Sequence, residues 1–266
     1  MELHGIDFTS APSKRKGITI ATGQLDGDTY VLTSLLSLHS FEAFRAWLKL
    51  PGPWLGAFDL PFSFPRELIE HLGWPRDWAD MIRHVAGMSR AELRQTFKTF
   101  CDARPVGNKF AHRATDGPAG SSSPMKWVNP PVAYMLHAGV PLLLEAGLTV
   151  YTLHSGDPDR IALEAYPGLV ARSITRSSYK SDERAKQTPE RYETRQRIVE
   201  TLEKGDYRFG VRLEAGAFRH DLISDATGDL LDACLCGILA AWAWQRREQA
   251  FGLPDFDPLE GWIVGA

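Results

Sequence analysis

Carboxylates end several apolar stretches that lie far apart in the chain. Asp7 follows Leu3-His-Gly-Ile6, Asp59 follows Trp54-Leu-Gly-Ala-Phe58, and Glu164 follows Arg160-Ile-Ala-Leu163. An aspartate at a strand end can simply start a turn, which is an alternative for Asp7 and Asp59, whereas glutamate is a poor turn former. Ligands of α/β sheets bind at the carboxyl ends of strands, so these three acids are candidates for one site.

A fourth acidic stretch begins the last predicted helix. Gly228-Asp-Leu-Leu-Asp232 places Asp229 and Asp232 three positions apart, on one helix face that continues through small residues. An acid in the first turn also interacts favourably with the helix dipole, which would explain one of the two without a function. Carboxylates that converge in one crevice repel each other unless a cation is present, and Mg²⁺ or Mn²⁺ prefers such oxygen ligands.

The composition is that of a globular protein with a substantial core. The chain has 266 residues, 44% hydrophobic and 24% charged, with a formal net charge of −3. It contains no apolar run long enough for a transmembrane helix, and its start lacks a signal-peptide pattern. Three cysteines fit no metal or redox spacing. We therefore expect free thiols, a cytoplasmic location and no membrane partner.

The hydrophobic pattern predicts one α/β domain over residues 1–266. Short turns join the first three strands, which should be antiparallel, and the strand after the first helix should run parallel to the first strand. The strands are expected at 3–8, 17–23, 28–38, 54–58, 149–153 and 160–165. The helices are expected at about 41–48, 66–103, 132–147, 189–204 and 228–249. This order matches a ribonuclease H-like mixed sheet with a helical and loop insertion at about 66–131.

These motifs, taken in order, resemble a family of predicted RNase H-like nucleases, catalogued as domain of unknown function 429. The resemblance rests on Gly5-Ile-Asp7, Ala57-Phe-Asp59-Leu-Pro61, Glu164-Ala-Tyr-Pro167, the Tyr179-Lys180 stretch and Asp229-Leu-Leu-Asp232-Ala233. The Asp-x-x-Asp of the last helix also resembles Holliday-junction resolvases of the RuvC type. The resemblance implies a ribonuclease H-like core with a metal-dependent nuclease site, and it says little about residues 66–131.

Two basic stretches are candidates for contact with a phosphate backbone. Residues 104–126 and residues 172–208 each carry a local charge of +3 in a chain that is acidic overall. Lys109 and Arg113 lie in the first, a Pro-, Gly- and Ser-rich loop, and interleave with aromatic groups in a way that suits an unpaired strand. Lys14, Arg15 and Lys16 follow Asp7 in a turn and could also touch phosphate, although a plain exposed turn explains them more simply. Solvated surface charge explains the second stretch, 172–208, as well.

The favoured hypothesis is a hydrolase that cleaves phosphodiester bonds in DNA or RNA. Two Mg²⁺ or Mn²⁺ ions would be held by five acids, with Lys180 as a candidate for orienting a substrate oxyanion. The expected ligands are Asp7, shared by both ions, and Asp59, Glu164, Asp229 and Asp232. The alternatives are a non-catalytic RNase H-like nucleic-acid-binding module and, less favoured because no glycine-rich phosphate loop is present, a phosphotransferase of the actin and sugar-kinase superfamily.

Overall fold

A seven-stranded mixed sheet organises the protein, and the computed structural model describes all of residues 1–266. The strands are β1 (Glu2–Asp7), β2 (Ile18–Asp26), β3 (Thr29–Leu38), β4 (Trp54–Asp59), β5 (Leu148–Val150), β6 (Asp157–Glu164) and β7 (Arg212–Glu214). Their order across the sheet is β5-β6-β4-β1-β2-β3-β7. The pairs β1–β2 and β2–β3 are antiparallel, and β4 lies parallel to both β1 and β6. The predicted α/β class and the mixed sheet are confirmed.

Helices cover both faces of the sheet. They are α1 (Phe41–Leu48), α2 (Arg66–Leu72), α3 (Trp78–Ala86), α4 (Arg90–Asp102), α5 (Asp116–Ala119), α6 (Val132–Glu145), α7 (Pro167–Ile174), α8 (Pro189–Lys204), α9 (Arg219–Ser224) and α10 (Asp229–Gln245). Leu3 and Leu55 point to one face, where α7 to α10 pack, while Ile6 and Phe58 point to the other, where α1 to α4 and α6 pack. Alternation along each strand thus divides the apolar side chains between two cores.

The predicted insertion contains more structure than a single helix and a loop. Residues 66–103 divide into α2, α3 and α4 because two new N-caps interrupt the run: Asp77 caps α3, and Ser89 forms a capping box with Glu92 at the start of α4. Residues 104–131 contain only the short α5. The sequence analysis missed α7, α9 and β7, which are short elements with weak periodicity.

Gly5 permits the contact that positions the last helix. A Cβ atom at Gly5 would lie 2.0 Å from the carbonyl oxygen of Ala233 and 2.0 Å from the amide nitrogen of Gly237 in α10. The backbone of α10 therefore lies directly on β1, as the small residues of this helix predict. The N-terminal turn of α10 is consequently held beside the carboxyl ends of β1 and β4. None of the helices has the length and apolar composition needed to cross a lipid bilayer.

Candidate active site

Asp7 and Asp59 lie side by side at the ends of the two central parallel strands. They are register partners in the β1–β4 pair, and alternation places both on the face that carries α10, the same face as Gly5 and Ala57. Asp7 is 7% exposed, and Asp59 is partly exposed. Local sequence explains the arrangement, since each acid directly follows an apolar strand that must be buried.

Asp232 approaches these two acids from α10 and is fully buried. The Tyr179 hydroxyl donates a hydrogen bond to Asp232 Oδ1 over 2.5 Å, and the Lys180 ammonium donates to Oδ2. Asp232 makes no capping hydrogen bond, whereas Asp225 accepts one from the Leu230 amide in the first turn of the helix. The hydrogen bonds of Asp232 instead join α10 to the segment of Tyr179 and Lys180, an arrangement that the helix dipole alone does not require.

Burial and mutual repulsion dominate the electrostatics of this group. Burial raises the pKa of Asp7 well above its usual value, and the negative charges of Asp232 and Asp59 raise it further. Burial, followed by repulsion from Asp232, raises the pKa of Asp59 to about 7. Burial alone would lower the pKa of Lys180, but attraction by Asp232 and other anions outweighs it and raises that pKa. The positive charge nearby is thus too small to offset the burial of the three carboxylates and the repulsion among them.

Asp229 lies at the rim of this group and has its own cation. Its carboxylate is 3.4 Å from Lys16 Nζ, and Lys16 also bonds Asp182 at 2.9 Å. Of the three basic residues of this turn, Lys16 is the one that lines the cavity over the acids. Lys14 and Arg15 are exposed and do not line that cavity, so the structure places the predicted pair outside the site.

Glu164 does not join the other acids on the α10 face. It is level with Phe58, one residue before Asp59, so alternation turns its side chain to the opposite face. There its oxygens accept hydrogen bonds from Arg113 at 2.6 and 2.7 Å and from the Phe62 amide at 3.0 Å. Glu164 was expected to be a metal ligand; it lines the same cavity as Asp7 and Asp59, but both of its oxygens accept hydrogen bonds from Arg113.

Arg113 also departs from its predicted role. Its side chain is 1% exposed and lies between Glu164 and Asp116, both of which are buried. A guanidinium neutralised in this way is not available for a phosphate backbone, and its contacts instead tie the 104–131 loop to β6. Glu260 fastens the same loop by accepting a hydrogen bond from the Ala114 amide at 2.9 Å. Lys109 is exposed and does not line the cavity.

A cavity of about 530 Å³ opens above the acids. The 104–131 loop forms part of its wall through Ser121, Ser122, Pro130 and Pro131, so the loop lies beside the acids. The opposite walls contain the acids and the cations of the site. The lining residues that bear on the chemistry are Asp7, Asp59, Glu164, Lys16, Lys180 and Tyr166.

The donor set suits a hard divalent cation, although a lysine engages one member of it. Asp7, Asp59 and Asp232 offer oxygen ligands of the kind that Mg²⁺ and Mn²⁺ prefer. No group of three or more His, Cys, Asp or Glu side chains is already spaced as metal ligands. Lys180 and Tyr179 engage both oxygens of Asp232. A cation would fit once Lys180 moved away from Asp232.

Comparisons with known proteins add no further information. The chain matches no protein-family model, no curated protein and no solved structure.

Proposed function

We propose that this protein is a metal-dependent hydrolase of phosphodiester bonds in nucleic acid, with a ribonuclease H-like fold and a relationship to the predicted nuclease family that its motifs resemble. The observation that carries the proposal is the meeting of Asp7, Asp59 and Asp232 on one face, beneath a cavity. The sheet supports it, because three antiparallel strands are followed by parallel β4 and β6 in the order expected for that fold.

The three carboxylates would hold the Mg²⁺ or Mn²⁺ ions. A divalent cation in such a site lowers the pKa of bound water and stabilises the charge that develops on the leaving oxygen. The residues of the chain have separate tasks. Asp7, Asp59 and Asp232 bind and orient, Tyr179 fixes one oxygen of Asp232, and Lys180, once released from Asp232, donates to a phosphate oxygen.

Removal of one carboxylate tests the proposal through metal binding as well as activity. Saturating Mn²⁺ should raise the melting temperature of the wild type by several degrees, since an ion at about 100 times its Kd contributes roughly 2.7 kcal/mol. Asp232→Asn should lose most of this rise and all hydrolysis of a labelled oligonucleotide. Asp255→Asn is the matched control, because Asp255 is exposed and lies outside the cavity. Equal Mn²⁺ shifts in all three proteins would remove Asp232 from the site.

The ion pair between Lys180 and Asp232 favours a second candidate, a nucleic-acid-binding module without catalysis. In that case the ammonium is the permanent partner of the carboxylate and no metal enters. The variant Lys180→Met separates the two candidates. A metal site should bind Mn²⁺ more tightly after the competing cation is removed, although hydrolysis should fall with the loss of the phosphate contact. A binding module should show no Mn²⁺ shift before or after the substitution.

A further inference from the structure

A second cavity, of about 240 Å³, lies against the carboxylate cavity and has the opposite charge. Three residues line both cavities, namely Asp59, Tyr166 and Lys180. The walls of the second cavity also include Arg172 and Arg176 beside the hydroxyls of Thr175, Ser177 and Ser178. Asp59 is its only carboxylate. We call this space the basic cavity.

The two arginines of the basic cavity are not neutralised by carboxylates of the protein, whereas its third cation, Lys180, pairs with Asp232. Neither Arg172 nor Arg176 forms an ion pair with a carboxylate, whereas the exposed Arg76 and Arg83 do. Arg172 donates hydrogen bonds to the Ala119 carbonyl and, over 3.2 Å, to the Tyr166 hydroxyl. Arg176 makes no side-chain hydrogen bond and is exposed. An unpaired guanidinium beside several hydroxyls suits a phosphate oxygen.

Tyr166 provides an aromatic ring at the boundary between the cavities. Its side chain is partly exposed, and the Arg172 guanidinium lies 5.0 Å from its ring centroid. Gly168 leaves the space that this ring occupies, because a Cβ atom there would lie 2.7 Å from Tyr166 Cζ. A ring held by a cation and open on one side can stack a nucleobase.

We propose that the two cavities are subsites for one single-stranded polynucleotide, which crosses the carboxylates with a backbone phosphate in the basic cavity and a base against Tyr166. The inference rests on the proposed nuclease function and specifies its substrate. A continuous duplex is disfavoured, because Asp7 and Asp232 are buried beneath a cavity whose wall includes the 104–131 loop, and stacked bases do not enter such a site unless they are flipped out.

Binding is measured without divalent ions, so that the result does not depend on hydrolysis. The probe is a fluorescein-labelled oligothymidylate of about ten nucleotides, within the span that such grooves bind. It is compared by anisotropy with the matching oligouridylate and with the same DNA strand in a duplex. Arg176→Gln should weaken single-strand binding roughly threefold to tenfold and reduce the salt slope by about 0.7, the share of one phosphate contact. Arg212→Gln is the control, since Arg212 is exposed on edge strand β7 and lines neither cavity.

Tyr166 is tested separately by two substitutions of similar size. Tyr166→Phe keeps the ring and should bind as the wild type does, whereas Tyr166→Leu should bind at least about fivefold more weakly. Any one of three results would overturn the subsites. The Arg176 and Arg212 variants could bind with equal affinity, the two Tyr166 variants could bind with equal affinity, or the duplex could bind as tightly as the single strand. If the subsites fail this test but the wild type hydrolyses DNA or RNA with Mn²⁺, the proposed nuclease function still holds. Binding that requires Arg176 and Tyr166 in a protein without hydrolysis would uphold the subsites and reject the nuclease.

Discussion

Arg113 should be one of the most destabilising positions in the chain at neutral pH. The variant Arg113→Met keeps the length and apolar stem of the side chain but removes its charge. Glu164 and Asp116 then remain in the interior with side chains that are 3% and 0% exposed. They lose four side-chain hydrogen bonds of 2.6 to 3.1 Å. Breaking a buried ion pair on one side costs roughly 3–5 kcal/mol, because it leaves uncompensated charge.

Remaining contacts moderate this loss and give it a pH dependence. Phe62 still donates to Glu164, and the backbone amide of residue 113 still donates to Asp116, so we expect a loss of about 4 kcal/mol, or roughly 10 °C in melting temperature. Burial already raises the pKa of Glu164 against the opposing effect of Arg113, and removal of the guanidinium raises it further. A group whose pKa is higher in the folded state stabilises that state at low pH and loses this contribution as the pH rises. The variant should therefore be less impaired at about pH 5 than at about pH 7.5.

Thermal and urea unfolding at both pH values check this prediction. Arg45→Met is the matched control, because Arg45 forms an exposed ion pair with Glu145 and should lose at most about 1 kcal/mol. The double variant Arg113→Met/Glu164→Gln should recover stability at the higher pH, since it removes one of the stranded charges. The reasoning is refuted if Arg113→Met is no more destabilised than Arg45→Met, or if its loss is the same at both pH values.

Three further predictions concern the acids and the last helix. The pKa of Asp59 is raised to about 7, so in EDTA its contribution to the free energy of unfolding should fall as the pH rises from about 4 towards 7. The variant Asp59→Asn should show a smaller fall in a series of melts over this pH range. Gly5→Ala should cost roughly 3 kcal/mol of stability or prevent folding, because its Cβ would lie 2.0 Å from backbone atoms of α10. Gly117→Ala is the control and should change stability by less than about 0.5 kcal/mol, because no atom lies within 4 Å of its added Cβ. Asp225→Ala should cost about 1 kcal/mol through the lost cap of α10, without changing the Mn²⁺-induced shift in melting temperature.

Local patterns in the sequence were sufficient for the central part of the fold. The alternation of apolar residues gave β1 to β4, and the crossover rule gave the parallel β1–β4 pair that brings Asp7 beside Asp59. Gly5 and the small residues of α10 gave the close contact between helix and sheet. These features depend on short-range periodicity and on the size of single residues, which a sequence displays directly.

The position of Glu164 could not be predicted in the same way. Glu164 and Asp59 both end apolar strands, but the register of β6 against β4 is shifted so that Glu164 faces Phe58. A shift of one residue turns a side chain to the other face, and a sequence does not specify the register of two strands separated by a hundred residues. The role of Arg113 as the partner of Glu164 could not be predicted either, because an arginine in a polar loop is exposed more often than it is buried.

The charges around Asp232 connect the fold to the proposed chemistry. Asp7, Asp59 and Asp232 share the ammonium of Lys180, while Lys16 lies mainly with Asp229 and Asp182 and interacts less strongly with Asp7. Burial, followed by the repulsion among these acids, accounts for the raised pKa values of Asp7 and Asp59. Lys180 lines both cavities, so movement of its flexible side chain away from Asp232 would not require the backbone to shift. A divalent cation would bring twice the charge of the ammonium that it replaced, and the released ammonium would then lie beside the basic cavity, where we propose that a phosphate binds. Metal entry and phosphate binding would thus favour each other through one lysine.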